Sequence, residues 1–338
     1  MKKFIDLLFA LLLITILSAD LHAQSDEPMA DLLTERFKTE PMELGIMVRT
    51  NGVYSFEDDG FLGGRRYGLS NARLRFRGTI DKGFTYDMQL ELNRQSSIID
   101  LNAGYKFSDR LHVVVGAQKP DIGLDLSMSP GHTALISRAR LIGAMLNSRE
   151  IGVSASGDLG DFDYNVAMFN GYGLDRTNDN NFMYLGKLGY TLDSGSSTTY
   201  LGVNAAYNNS VLETVGNTGF VSLEDRWTYG GFIDFDSDTF FGAAEFLQTT
   251  FERVGQAGDE TITGFYATAG LKLSEQNEVL VRWDHLSFDV AEERGSERII
   301  LGLNHYATSL VKFQANLIAD FNDDDTRYGL AGTFQFQF

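Results

Sequence analysis

Apolar and polar residues alternate at a strict period of two, segment after segment, and nothing else in this chain limits its fold so tightly. In "ARLRFRGTI", Ala72, Leu74, Phe76 and Ile80 alternate with Arg73, Arg75, Arg77 and Thr79. In "FTYDMQLELN", Phe84, Tyr86, Met88, Leu90 and Leu92 alternate with Thr85, Asp87, Gln89, Glu91 and Asn93. "IDLNAGYKF" repeats the pattern with Ile99, Leu101, Ala103, Tyr105 and Phe107 on one face. Side chains of a strand point alternately to its two faces, so a one-residue slip would exchange the greasy face for the wet one. Comparable segments recur from residues 44–54 to the C-terminus and predict about sixteen strands.

The connections sharpen the reading. Minimal ones such as "DKG" (81–83), "SDR" (108–110), "GDLGD" (157–161) and "SEQN" (274–277) alternate with long ones such as "SFEDDGFLGGRRYGLSN" and "NNSVLETVGNTGFVSLEDR". Up-and-down barrels of the outer membrane sort their connections this way, with tight periplasmic turns and long extracellular loops. A soluble sandwich has no reason to do so. The expected fold is therefore all-β, a transmembrane up-and-down antiparallel β-barrel. Mean hydropathy is only −0.14, as expected when the polar residues of each strand dilute its apolar ones. Phe84, Tyr86, Tyr105, Phe107, Tyr190, Trp227 and Tyr229 fall near strand ends, where girdles at the membrane interface are built.

The chain opens with Lys2 and Lys3, an apolar run from Leu7 to Leu17 and small residues at Ala19 and Ala23. That predicts a secretory signal peptide over 1–23, with Ala19 as a rival cleavage position. A short periplasmic leader follows over 24–42, and the barrel occupies 43–338. No cysteine is present, so an exported fold must rest on hydrogen bonding and packing. A formal charge of −18 argues against a nucleic-acid partner. The acidic runs Glu57-Asp58-Asp59, Asp289 with Glu292 and Glu293, and Asp323-Asp324-Asp325 are placed in long loops. There they solvate the surface or sit beside lipid headgroups bridged by divalent cations. The final segment "RYGLAGTFQFQF" aligns Tyr328, Phe334, Phe336 and Phe338 on one face. It is read as the strand that closes the sheet on the first and as a membrane-insertion signal for barrel-assembly machinery. Outer-membrane lipid and lipopolysaccharide are the expected surroundings.

No catalytic constellation emerges. His112, His132, His285 and His305 are scattered, with neither a Ser/His/Asp arrangement nor a paired-histidine metal motif. No enzyme activity, metal or cofactor is expected.

One connection, residues 119–148, is far longer than the rest and too apolar for water: Ile122, Leu124, Leu126, Leu135, Ile136, Leu141, Ile142, Met145 and Leu146 need burial. Folded into a barrel of about sixteen strands, which otherwise encloses an aqueous channel, it would bury them and narrow the pore. It carries Lys119, His132, Arg138 and Arg140 against Asp121 and Asp125. Arg73, Arg75 and Arg77 form a row on the polar face of the second strand, each able to hold an oxyanion by paired hydrogen bonds. Pairing with Asp87 and Glu91 on the next strand would make that row an ordinary solvated wall, and both readings stand. Asp234, Glu245, Asp284 and Asp320 are expected on the lumen face.

The segments "SNARLRFRGTIDKGFTYDMQLELN", "GAQKPDIGL", "SRARLIG" and "REIGVSASGDLGDFDYNVAMFNGYG" together resemble the phosphate-selective porins O and P of bacterial outer membranes. The resemblance implies a sixteen-stranded barrel, a homotrimer, a third extracellular loop folded into the pore, and a passive channel for small anions such as phosphate. Carried onto this chain, the anion pathway comprises Arg73, Arg75, Arg77, Lys119, Arg138 and Arg140. The acidic loops depart from the family's lysine-rich pattern. A general non-selective or cation-preferring porin, or a plugged structural or adhesive barrel, remains open at this point.

Overall fold

Among the described residues, period-two alternation is realised as eighteen strands in one sheet. The computed structural model describes residues 31, 33, 35–39, 41–57, 61–93, 97–175, 178–322 and 325–338. The signal-peptide reading over 1–23 lies outside them, and the leader is described only in part, with helical residues at 35–37. The strands are β1 (Lys38–Thr39), β2 (Met42–Ser55), β3 (Arg65–Ile80), β4 (Phe84–Glu91), β5 (Ile98–Ser108) and β6 (Leu111–Gln118). Then follow β7 (Glu150–Leu159), β8 (Phe162–Phe169), β9 (Met183–Asp193), β10 (Ser197–Asn208), β11 (Glu213–Val215) and β12 (Phe220–Ser237). The set ends with β13 (Phe240–Arg253), β14 (Asp259–Ser274), β15 (Asn277–Phe288), β16 (Ser296–Tyr306), β17 (Val311–Asn322) and β18 (Asp325–Gln337).

Leaving aside the short β1 and β11, every strand pairs antiparallel with its neighbour in sequence, and β18 returns to β2 from Gly329↔Ser55 to Gln337↔Met47. The result is a closed sixteen-stranded barrel. Phe338 completes the seam by exchanging backbone hydrogen bonds of 2.9 and 3.2 Å with Ile46. Closure matters because an open edge would leave unpaired N–H and C=O groups in hydrocarbon.

Burial is inverted relative to a soluble protein. Along β17, Lys312, Gln314, Asn316 and Asp320 are buried inside, whereas Leu317 and Phe321 lie exposed on the outer face. Phe84, Phe107, Val203, Phe240 and Leu273 are likewise exposed, as a lipid-facing band requires. Rings gather at the short-turn end, with Tyr105 4.8 Å from Phe84 and 4.7 Å from Phe107. At the other end Tyr207 and Trp227 are 4.6 Å apart.

The strands run further than alternation alone predicts. β3 begins at Arg65, inside the expected loop, and β12 begins at Phe220. Beyond the hydrocarbon both faces meet water, so the pattern vanishes while the backbone ladder continues. The expected long loop at Asp323-Asp324-Asp325 is corrected for the same reason: Asp325 belongs to β18 and pairs with Asn322. Asp58, Asp59, Asp323 and Asp324 lie outside the described residues.

Residues 119–149 pack against the inner face and include two short helices, α1 (Leu124–Ser127) and α2 (Arg140–Met145). Ile122, Leu126, Leu135, Leu141, Ile142 and Met145 are buried. The wall makes room for them: a Cβ at Gly264 of β14 would stand 2.5 Å from Leu141, and one at Gly302 of β16 2.7 Å from Leu135. Polar pins complete the attachment. Glu245 of β13 accepts the N–H groups of Leu124 and Asp125, both at 3.0 Å. Asn316 accepts from Ile136 N–H at 3.0 Å, and Lys312 donates to the Thr133 carbonyl at 3.1 Å.

Candidate functional site

With this segment lying inside the ring, two large cavities stand on either side of it among the described residues. One, of about 660 Å³, adjoins the short turns through Gly78, Thr79 and Thr85. The other, of about 630 Å³, adjoins the long connections through Asn217, Thr218 and Arg294. Arg73, Lys119, Pro130 and Arg149 line both. A path from one cavity to the other therefore passes these four residues, three of them cationic.

Each cation is held in a defined way. Arg73 Nε contacts Glu91 Oε2 at 2.6 Å, and Glu91 also accepts from Asn71 Nδ2 and Ala72 N–H, both at 2.9 Å. Arg149 contacts Asp100 at 2.6 Å and donates to the Ser148 carbonyl at 2.7 Å. Lys119 Nζ instead donates to the carbonyl oxygens of Ser127 and Met128, at 3.2 and 2.9 Å. Among the described residues no carboxylate forms an ion pair with it. Burial, reinforced by Arg149 and Arg138 nearby, pushes its pKa down to about 7.

The long-connection cavity is lined by seven cations. Besides Arg73, Lys119 and Arg149 these are Arg138, Arg140, Arg294 and Arg298. No Asp or Glu among the described residues lines it. The counter-charges stand behind: Glu91, Asp284 and Asp320 are 0, 1 and 1 % exposed. The short-turn cavity differs, because Glu43, Asp87, Asp100 and Asp121 line it beside Arg75 and Arg77.

The six expected pathway residues thus divide. Arg73 and Lys119 meet at the junction, and Arg138 lines the cavity above it, donating to the Met128 carbonyl and lying 3.6 Å from Asp125. Arg75 and Arg77 lie below, paired with Asp87 and Glu43 at 2.8 and 2.9 Å. Arg140 lines the upper cavity but spends its donors on the wall. Its Nε and backbone N–H contact Asp284 at 3.0 Å each, and Nη2 reaches the carbonyls of Asp284 and Ser296 at 2.7 Å. Asp284, Glu245 and Asp320 point inward as expected, but they are covered by the loop or its arginines and line neither cavity. Asp234 is half-buried and also lines neither.

Sequence reasoning missed Arg149, Arg294 and Arg298. Arg149 stands one residue beyond the long connection, where the pair Arg149-Glu150 interrupts the alternation at the start of β7. That break was a usable signal. Arg294 and Arg298 are basic residues in the otherwise acidic stretch "EERGSER".

A sequence model of the family described as phosphate-selective porin O and P matches residues 52–239, more than half of the chain. No curated protein matches in sequence. Among solved structures, the chain is similar to an anion-selective porin from Comamonas acidovorans, with 16% identity, a TM-score of 0.65, and coverage of 88% of this chain and 99% of that one. It is also similar to a trimer form of the Vibrio cholerae outer membrane protein OmpT, at 10% identity, TM-score 0.62 and coverage of 88% and 99%. A Salmonella typhi OmpF complex with daunomycin aligns at 14% identity, TM-score 0.63 and coverage of 88% and 97%. At these identities the likeness shows the fold.

Proposed function

The chain belongs to the phosphate-selective porin O and P family of the bacterial outer membrane, and on that footing we propose a passive channel that prefers small anions. The observation that carries the preference is the carboxylate-free cationic lining of the long-connection cavity. An anion entering there meets guanidinium and ammonium groups, while their counter-charges are screened from it by burial. In a confined passage such groups replace part of the ion's hydration shell, and the reduced dielectric strengthens each contact. Arg73, Lys119 and Arg149 form the selective junction; Arg138 and Arg140 line its approach, and Arg75 and Arg77 line the exit. Transport follows the concentration gradient and uses no cofactor. Assembly as a homotrimer belongs to the same proposal, supported by the family and by the trimer form of the Vibrio cholerae protein. So do insertion by barrel-assembly machinery reading Tyr328, Phe334, Phe336 and Phe338, and an outer wall in contact with lipid and lipopolysaccharide.

The test is the reversal potential of the purified channel in a planar bilayer across a potassium chloride gradient. The expected sign is anion-selective. A cation-selective sign would mean that Glu43, Asp87, Asp100 and Asp121 around the second cavity govern permeation, and would overturn the proposal. A silent bilayer would point to a plugged barrel.

A further inference from the structure

The long-connection cavity has a second property that a phosphate channel does not need. Lining it together with its cations are the largely buried Ile99 of β5, Leu126 and Ile142 of the inner segment, and Leu286 and Phe288 of β15, with the half-buried Leu146. The short-turn cavity has no comparable face; apart from prolines and a glycine, Tyr86 and Val114 are its apolar lining residues among those described. The two chambers share a wall and a junction, so the apolar patch is a local feature of the upper one rather than a general property of the lumen.

We infer that this chamber selects small organic anions, one carboxylate on an apolar body, over inorganic phosphate; the inference rests on the anion-channel reading above. Phosphate exposes oxygens in every direction. On the apolar side it would shed water and receive no hydrogen bond in return, which is costly. An alkyl or aryl carboxylate divides its two characters as the chamber does, with oxygens toward the cations and carbon against Ile99, Leu286 and Phe288. The cations also suit a single carboxylate better than a fully hydrogen-bonded phosphate, because most of their donors are committed. Arg140 is spent on Asp284 and Ser296, Arg298 bonds Asp320 at 2.7 Å, and Arg294 donates to the Thr218 carbonyl at 2.8 Å. Arg138 Nη1 is buried without a hydrogen bond among the described residues.

The experiment measures block of single-channel chloride current by acetate, butyrate, hexanoate, benzoate and inorganic phosphate, each added on the long-connection side of the purified full-length protein. Burying a methylene contributes up to about fourfold in affinity. Block should therefore tighten from acetate to hexanoate by about tenfold or more, with benzoate near hexanoate and phosphate no better than acetate. The substitution Ile99→Thr, which replaces apolar surface by a smaller side chain bearing a hydroxyl, should flatten this chain-length dependence. An anion-selective channel blocked best by phosphate, or equally by acetate and hexanoate, would overturn the inference and leave the channel reading intact. A cation-selective reversal potential would overturn both.

Discussion

The two cavities are cut from the same barrel, share Arg73, Lys119 and Arg149, and are both rich in ion pairs, yet they present opposite surfaces. Below the junction, arginines and carboxylates stand side by side on the lumen wall, as Arg75 does with Asp87. Above it, carboxylates such as Asp284 and Asp320 stand behind the arginines they pair with. Counting charged residues would not separate the two. The order in depth does, because a buried counter-charge orients its arginine without offering itself to the passing ion. Residues 119–149 create that order by covering the inward carboxylates of β13, β15 and β17.

The most severe way to break the contrast is to remove the residue of the inner segment that donates most to the wall. Arg140→Ala deletes the side-chain bonds to Asp284 and Ser296 and leaves Asp284, 1 % exposed, with the backbone N–H of residue 140 in place of its charged partner. Stranding a buried charge in this way costs about 3 kcal/mol or more. That is enough to loosen α2 and let the carboxylates behind it meet the lumen. The expected outcome is a larger, noisier conductance with its anion preference lost, while the barrel itself remains, since its ladder does not involve Arg140. Circular dichroism should keep the strand signal. An unchanged conductance would show that the apolar packing of Leu135 and Leu141 suffices to hold the segment.

A smaller effect should come from the junction itself, which sharpens the comparison because Lys119 faces both cavities. Its pKa, held near 7, places its charge change within the working range. Below that value the ammonium is present and favours anions; as pH rises through it the charge is lost. The anion-to-cation permeability ratio should therefore fall between pH 6 and pH 8, by about threefold to tenfold for one charge in a confined passage. Lys119→Arg should abolish the dependence, since a guanidinium stays charged throughout. A response retained in that variant would assign the titration to other lumen groups, such as His112 on the short-turn cavity.

The barrel was legible in the sequence because hydrocarbon imposes a rule on every membrane-facing residue, and that rule leaves a period of two. Closure could be read from the final strand, and the burial of Ile122, Leu126, Leu141 and Ile142 from a connection too greasy to be wet. The site was legible only in part. Arg73, Arg75 and Arg77 are alike on paper, one every second position; the minimal turn at 81–83 puts Arg77 nearest the short turns, but nothing local tells that Arg73 reaches the junction. That difference is set by where residues 119–149 cross the barrel, which depends on Glu245, Asp284 and Asn316, more than a hundred residues away in the chain. Arg149 was overlooked because it is the joint between loop and strand, a position that belongs to neither pattern.

The mildest test follows from that same inequality within the arginine row. Arg77 pairs with Glu43 at 2.8 Å, but the two side chains are 50 and 36 % exposed. A pair so solvated contributes little to stability, under about 1 kcal/mol, and is screened further by salt. Arg77→Ala should therefore move the reversal potential by much less than Arg73→Ala, and raising the ionic strength should erase what difference remains. Arg73 is shielded from that screening, because its partner Glu91 is fully buried and fixed by Asn71 and the Ala72 N–H. Equal shifts from the two substitutions would mean that the whole row acts as one ladder, and that neither depth in the lumen nor the position of the counter-charge sets the selectivity.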